Sequence, residues 1–323
     1  MTDAIAVRDL RKSFGSVAAV AGLSFRVAAG EVFGFLGPNG AGKSTTINLL
    51  TGLARTDAGH VAIGGLDCTA NPRAAQHLIG VVPDESNLYP ELDGFANLCF
   101  CGALYGMRRA AREARARELL GLFDLSAAAN RRFAGYSKGM KRRLTIAAAL
   151  MHAPPILFLD EPTTGLDVPS ARQLRTLIAA LRSKGTTVFL TTHNIDEAEA
   201  LCDRVAFVVQ GRIVREDSVD ALLQPIQSRQ IMDITADPLS ADQVARLAAT
   251  LPDLVITVTG TGAIRIEAPA AIPVGPIVRL LEEGGSTVAE ARRQRPTLED
   301  VFVEVTGIAA RDMAASTGPS GAP

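Results

Sequence analysis

Gly37-Pro38-Asn39-Gly40-Ala41-Gly42-Lys43-Ser44-Thr45 decides how this chain is read. It fits G-x-x-x-x-G-K-[ST], the phosphate-binding P-loop, at every fixed position. The apolar run from Val32 to Leu36 reads as a buried strand, and Thr45 to Thr51 as the first turns of a helix. Strand, loop and helix in that order are the context the motif needs. Glycines at 37, 40 and 42 let the backbone curl so that several N–H groups meet one anion. The helix start behind them adds partial positive charge. Lys43 is placed to reach the β- and γ-phosphates of a nucleotide, and the Ser44 hydroxyl to hold Mg²⁺.

A second motif answers the first. Pro155 to Leu159 is fully apolar and ends in Asp160-Glu161. Such a strand belongs in the middle of a parallel sheet, and its C-terminal end lies where open α/β sheets bind ligands. Asp160 is expected to bind Mg²⁺, directly or through a water, and Glu161 to polarise the attacking water. The next strand, Thr186 to Thr192, delivers His193 to the same rim, in reach of a γ-phosphate.

Outward from these strands, residues 4–28 alternate apolar and polar, as two antiparallel strands joined near Phe14-Gly15. Phe14 either packs in that hairpin or stacks on a base. Gly59 to Gly65 and Ile79 to Pro83 read as strands, with a short helix opening at Asn71-Pro72. From Leu88 to about Leu150 the pattern is helical. Arg108 to Leu125 is amphipathic, with its Arg run as a solvated face. Ser137 reads as the N-cap of a helix from Met140 to Met151. Val205–Val209 and Gln210–Val214 close the region as a hairpin.

Asp217 to Ser228, with Pro225, reads as a linker. A strand–helix–strand–strand–helix–strand pattern follows, a small α+β module of ferredoxin-like order. Arg295 to Phe302 reads as a closing helix, with Thr297 as N-cap and Asp300 completing a capping-box-like turn. Residues 309–323, rich in Ala, Ser, Gly and Pro, read as a disordered tail.

Composition narrows the function. Lys+Arg number 33 against Asp+Glu 34, for a net charge of −1. That balance speaks against broad nucleic-acid binding. The four Cys (68, 99, 101 and 202) have no zinc spacing and read as buried thiols of a reducing compartment. No N-terminal targeting peptide and no run of about 18 apolar residues is visible. A soluble chain is expected, with any membrane work done by another polypeptide.

The gap from Lys43 to Asp160 is too long for a small GTPase, and no N-K-x-D base-reading motif occurs. With a helical insertion filling that gap, the chain resembles the nucleotide-binding subunit of an ABC transporter over about residues 3–220. The resemblance implies an α/β P-loop NTPase of ABC type, residues 1–220, with an antiparallel β subdomain and a helical insertion at about 88–150. Residues 221–308 would form the C-terminal α+β domain.

By the same resemblance, Glu161 is the catalytic carboxylate and His193 the switch histidine. Thr164-Gly165-Leu166-Asp167 matches the D-loop. Phe14 stands where the family keeps its adenine-stacking aromatic. Tyr136-Ser137-Lys138-Gly139-Met140 resembles the LSGGQ signature, departing at Lys138 and Met140 and keeping the phosphate-contacting Ser137 and Gly139. Asp84 replaces the usual Gln that helps hold Mg²⁺ and couples to the membrane partner.

The implied cofactors are ATP and Mg²⁺. The implied partners are a second copy or a sister ATPase, and a separate integral-membrane permease met at the cytoplasmic face of the membrane, with no nucleic acid. Pro296-Thr297-Leu298-Glu299-Asp300-Val301-Phe302 resembles the closing helix of drug-resistance and ABC-2-type export subunits, which points to export. Two other readings compete. Soluble ABC ATPases acting on nucleic acid or ribosomes usually carry two such domains or a long coiled-coil insert, and this chain has neither. A nucleotide-gated switch with little turnover would not need Glu161 and His193.

Overall fold

In the computed structural model, residues 3–226, 229–309 and 313 are described. The chain divides into one unit of Met1–Ser218 with Val305–Pro323, and a second of Val219–Glu304.

The first unit opens with β1 (Asp3–Phe14), β2 (Val17–Ala28), β3 (Val32–Leu36), α1 (Lys43–Leu50), β4 (Ala58–Ile63), β5 (Leu66–Asp67), α2 (Pro72–Gln76) and β6 (Ile79–Val82). The helical insertion follows as α3 (Gly94–Leu104), α4 (Arg109–Leu122) and α5 (Lys138–Ala149). The chain then returns through β7 (Ile156–Asp160), α6 (Val168–Ser183), β8 (Thr187–Thr192), α7 (Ile195–Leu201), β9 (Arg204–Val209) and β10 (Arg212–Ser218).

Two sheets result, ordered β2-β1-β4-β5 and β10-β9-β3-β8-β7-β6. The first is antiparallel. In the second, every neighbour pairs in parallel except the edge strand β10. The apolar runs explain this arrangement. Every residue of β3, β7 and β8 is buried, which only a sheet covered on both faces allows.

Phenylalanines join the two sheets. Phe25 of β2 stacks on Phe33 of β3 with ring centroids 5.6 Å apart and an interplanar angle of 8°. Phe189 of β8 lies 5.9 Å from Phe25, 5.6 Å from Phe35 and 5.5 Å from Phe158. Such pairs add about 0.5–1.5 kcal/mol each beyond the area they bury.

In the insertion, Asp93 caps α3 by accepting from the Ala96 N–H at 2.7 Å. Buried Asn97 fastens the preceding turn through both the N–H and the carbonyl of Tyr89. Only part of the Arg run is the solvated face expected: Arg108, Arg109 and Arg117 are exposed, with Arg109 and Arg117 paired to Glu113. Arg112 and Arg115 are half-buried, and Arg115 pairs with Glu118 and donates to the Leu150 carbonyl at 3.2 Å. Ala116, Leu119 and Leu120 face inward. The stretch read as helical throughout is interrupted by single 3₁₀ turns at Ser126–Ala128 and Phe133–Gly135.

Two sequence expectations need adjustment here. Cys68 and Cys202 are buried, but Cys99 and Cys101 are only partly so. Burial pushes the Cys68 thiol up to about 11, which makes it a poor nucleophile. Asp217–Ser228 is also not an open linker. β10 runs on to Ser218, and α8 (Val219–Leu223) begins the second unit with Val219 and Leu222 buried. Pro225 marks a break, but the apolar spacing of Val219 and Leu222 before it forms a helical turn with an inward face. Gln227 and Ser228 lie outside the described residues.

The second unit continues with β11 (Gln230–Asp237), α9 (Ala241–Thr250), β12 (Val255–Gly260), β13 (Ala263–Ala268), α10 (Val274–Glu283), β14 (Thr287–Gln294) and α11 (Leu298–Thr306). Its sheet runs β12-β13-β11-β14, antiparallel throughout. This is the ferredoxin-like order expected from the sequence. Met232, Ile234, Ile264 and Ile266 form its core with Leu247 of α9 and Ile277 and Leu281 of α10.

The α11 cap differs in detail from the expected box. The Asp300 carboxylate accepts from both the N–H and the hydroxyl of Thr297, at 2.8 and 3.0 Å. It also pairs with Arg265 at 2.9 Å. The acid, more than the threonine, does the capping. Apart from Ala309 and Met313, the expected disordered tail lies outside the described residues.

Candidate active site

β3, β7 and β8 are adjacent and parallel, so the P-loop, Asp160-Glu161 and His193 leave the sheet along one rim. The loop needs its glycines. Gly42 has φ +94°, and a Cβ there would stand 2.1 Å from the Ala19 carbonyl oxygen. At Gly37 a Cβ would stand 2.1 Å from the Val208 carbonyl oxygen. Pro38 is partly buried, Ala41 is buried, and Asn39 and Gly40 are exposed. The Asn39 N–H donates to the carbonyl of Met313 at 3.0 Å, and Met313 is itself buried.

α1 starts at Lys43, so Ser44 and Thr45 stand in its first turn, exposed and half-buried. Lys43 is 6 % exposed. Its ammonium donates to the Gly37 and Pro38 carbonyls at 2.8 and 3.1 Å and pairs with Glu161 Oε1 at 3.2 Å.

Glu161 is the centre of the arrangement. Its φ of +46° is unusual for a residue with a side chain. Such strain persists where neighbours enforce it. Here the Glu161 N–H is held by the Thr191 carbonyl at 3.1 Å. Glu161 Oε2 meets His193 Nδ1 at 2.8 Å and accepts from the Thr164 hydroxyl at 3.0 Å. Burial pushes this carboxyl up, but the His193 hydrogen bond and the Lys43 charge outweigh it and hold it below its ordinary value. The same hydrogen bond raises His193 above the usual imidazole value. The pair therefore favours carboxylate and imidazolium. Asp160, 7 % exposed, takes the hydroxyl of Thr191 on its Oδ1 in a close contact.

Asp84 lies on the loop after β6. Burial pushes its carboxyl up, with the Arg142 charge opposing. Phe14 ends β1 with its ring 57 % exposed and is not part of the hairpin core. The Lys12 ammonium sits 5.4 Å from the ring centroid and is itself held by Asp57 at 2.8 Å. Ser137 caps α5, accepting from the Met140 N–H at 3.2 Å, and Gly139 is buried in the first turn. Asp167 caps α6, accepting from the Ser170 N–H at 2.8 Å.

The structure thus brings Lys43, Asp160, Glu161 and His193 together. Phe14, Ser137, Gly139 and Asp167 stand in their own elements. Sequence reasoning missed Thr191 and Thr164, which hold the two acids, and Arg142, which hydrogen-bonds to the backbone on both sides of them. Arg142 had one visible signal: it lies three and four residues before Thr145 and Ile146, on the apolar side of α5.

Known proteins resemble this chain in sequence and in fold. The ABC transporter family model matches residues 20–164. The linearmycin resistance ATP-binding protein of Bacillus subtilis is 34% identical over 307 residues, covering 94% of this chain and 98% of its own. A daunorubicin resistance ATP-binding protein of Streptomyces coeruleorubidus is 39% identical over 309 residues, covering 94% and 96%. The Nod factor export ATP-binding protein I of Rhizobium etli is 37% identical over 305 residues, covering 94% and 93%. Among solved structures, an ATP-binding subunit of an ABC transporter superposes with TM-score 0.63 at 30% identity, covering 70% of this chain and 93% of its own. A dimeric ATP-binding cassette with bound ADP and Pi gives TM-score 0.61 at 27% identity, covering 66% and 98%. With relatives of this kind aligned over nearly its whole length, the chain belongs to the ABC transporter family, as one of its ATP-hydrolysing subunits.

Proposed function

We propose that this chain is the motor of an exporter. ATP at the P-loop draws two copies, or one copy and a sister ATPase, into a head-to-tail pair. Hydrolysis loosens the pair, and the cycle works a separate integral-membrane permease from its cytoplasmic face. The observation that carries this reading is Glu161, strained at the end of β7 and held between the Lys43 ammonium and His193. A carboxylate kept ionised beside a phosphate-binding lysine is placed to take a proton from an attacking water.

Each residue then has a task. Lys43 and the P-loop N–H groups grip the phosphates, and the exposed Phe14 ring offers a face to the adenine. His193 holds Glu161 ionised and reaches the γ-phosphate. Ser137 and the Gly139 amide, at the start of α5, cap the γ-phosphate bound by the other subunit, with Asp167 beside that junction. Ser44, Asp160 and Asp84 would hold Mg²⁺, which neutralises charge on the phosphates when bound. The described residues contain no group of three or more His, Cys, Asp or Glu able to hold a metal. This donor set fits an ion that takes much of its shell from phosphate and water.

The permease has a surface to meet. A groove of about 680 Å³ lies between α3 and the Asp84 loop, lined in part by Leu53, Val81, Leu88, Leu104 and Tyr105. Leu53 and Leu104 are 68 % and 70 % exposed. No described helix is long and apolar enough to cross a membrane. Relatives named for drug resistance and Nod factor export support outward transport.

The test is hydrolysis measured through a dilution series, with and without detergent-solubilised permease. Specific activity should fall on dilution and rise with the partner, and Glu161→Gln with ATP should run as a dimer on size exclusion. Specific activity independent of concentration, together with a monomeric Glu161→Gln in ATP, would overturn the dimeric motor.

A further inference from the structure

Arg142 is 7 % exposed, on the inner side of α5. Its guanidinium is occupied by four backbone carbonyls. Nε donates to Pro162 at 3.0 Å, and Nη1 to Asp84 at 3.0 Å and, more closely, to Pro83. Nη2 donates closely to Asp160. Two of these carbonyls belong to the loop after β6 and two to the turn that carries Glu161, so one planar fork spans segments far apart in sequence. Burial pulls its pKa below the usual guanidinium value, with the carboxylates of Asp84, Asp160, Glu197 and Glu161 opposing. A second tie joins α5 to the first loop only: the Ser86 and Thr145 hydroxyls meet at 2.8 Å.

We propose that Arg142 is a positioning residue that locks the helix begun by Ser137 to both the Asp84 loop and the Asp160–Glu161 turn. This rests on the motor reading above. In that motor the Asp84 loop meets the permease, the Glu161 turn activates water, and the Ser137 helix caps the opposite nucleotide. Among the described residues, Arg142 is the one side chain hydrogen-bonded to the first two while standing on the third. A movement forced on the loop by the partner then reaches both the base and the trans cap. Lysine cannot substitute for it, because a single ammonium lacks the flat fork of five donors that spans both segments.

The experiment compares Arg142→Gln, Arg142→Lys and Ser86→Ala in the full chain. For Arg142→Gln, kcat should fall about 100-fold, the scale of misplacing catalytic groups without touching substrate. KM for ATP should stay within about threefold, since the P-loop is untouched. Placed on Glu161→Gln, it should abolish the ATP-trapped dimer. Arg142→Lys should show the same split with a smaller loss, and Ser86→Ala a smaller loss still. Wild-type kcat in Arg142→Gln overturns the proposal, as does a lowered Tm with unchanged kcat in the folded fraction. If Arg142→Gln does not fold, Arg142→Lys decides by the same criteria.

Amide hydrogen exchange reads the tie without reference to turnover. Residues 84–86 and 160–164 should both exchange faster in Arg142→Lys than in the wild type. If only one segment responds, the double tie is wrong. If both respond but the wild type neither hydrolyses ATP nor dimerises, the motor reading fails and the tie stands.

Discussion

Both units cap their helices with polar side chains, but only the first also gathers charged groups at one rim. In the first, polar groups gather at the ends of buried parallel strands and face one another. Lys43, Glu161 and His193 form a chain of charges. In the second, polar groups finish helices. Ser240 and Gln243 form a capping box on α9, and Asp300 caps α11 while holding Arg265. Both regions carry a recognisable short motif. One resolves into chemistry and the other into capping, and the difference lies in whether the motif ends a buried strand or begins an amphipathic helix.

The sharpest break in that contrast is Glu161→Gln. Loss of a positioned base costs about 10²–10⁴ in rate, so ATP turnover should nearly vanish in the folded protein. Turnover within a few-fold of wild type would move the chemistry off this rim.

Phe14→Ala should act on binding alone. A base–aromatic stack contributes about 1–3 kcal/mol, so KM for ATP should rise about tenfold with kcat unchanged. Unaltered KM would return Phe14 to a surface role.

In the second unit, Asp300→Ala should leave kcat and KM untouched and lower stability by about 1 kcal/mol, the typical loss of a helix cap. Urea unfolding measures this, and a changed ATPase rate would erase the distinction between the units.

The smallest effect is a pH dependence far from the nucleotide rim. His152 stacks on Tyr105, its Nε2 meets the Ile79 carbonyl at 3.0 Å, and its Nδ1 is buried without a partner. Burial therefore lowers its pKa below the usual imidazole value. The folded state binds the second proton less readily than the unfolded chain. Stability from this site is full above about pH 6.5 and is lost as the pH falls below it. His152→Gln, whose amide can reach the Nε2 position and still donate to Ile79, should flatten that part of the profile.

Much of this was readable before the fold. Val32–Leu36 and Ile156–Asp160 are short apolar runs with no polar face, so their place in the sheet centre followed from composition. The loop matched its motif at every fixed position and the acids ended an apolar run, so both stood out in the local pattern. Arg142 and Thr191 were not readable. Their partners are carbonyls and a carboxylate brought close only when β6, β7 and β8 lie side by side, and nothing local marks a residue that serves another segment's backbone. The short helix α8 was hidden by Pro225, because a break signal drew the eye from the helical turn before it.

The packed rings of Phe25, Phe33, Phe35, Phe158 and Phe189 have a mechanical consequence. They weld the sheet that ends at Phe14 to the sheet that ends at the P-loop, with no hinge among these rigid, close-packed groups. In the motor proposed above, the span from the Phe14 ring to the P-loop would then be a calliper of set opening, gauging a nucleotide by its length as much as by its charge. Bending during a power stroke must come from parts of the molecule that those five rings do not clamp.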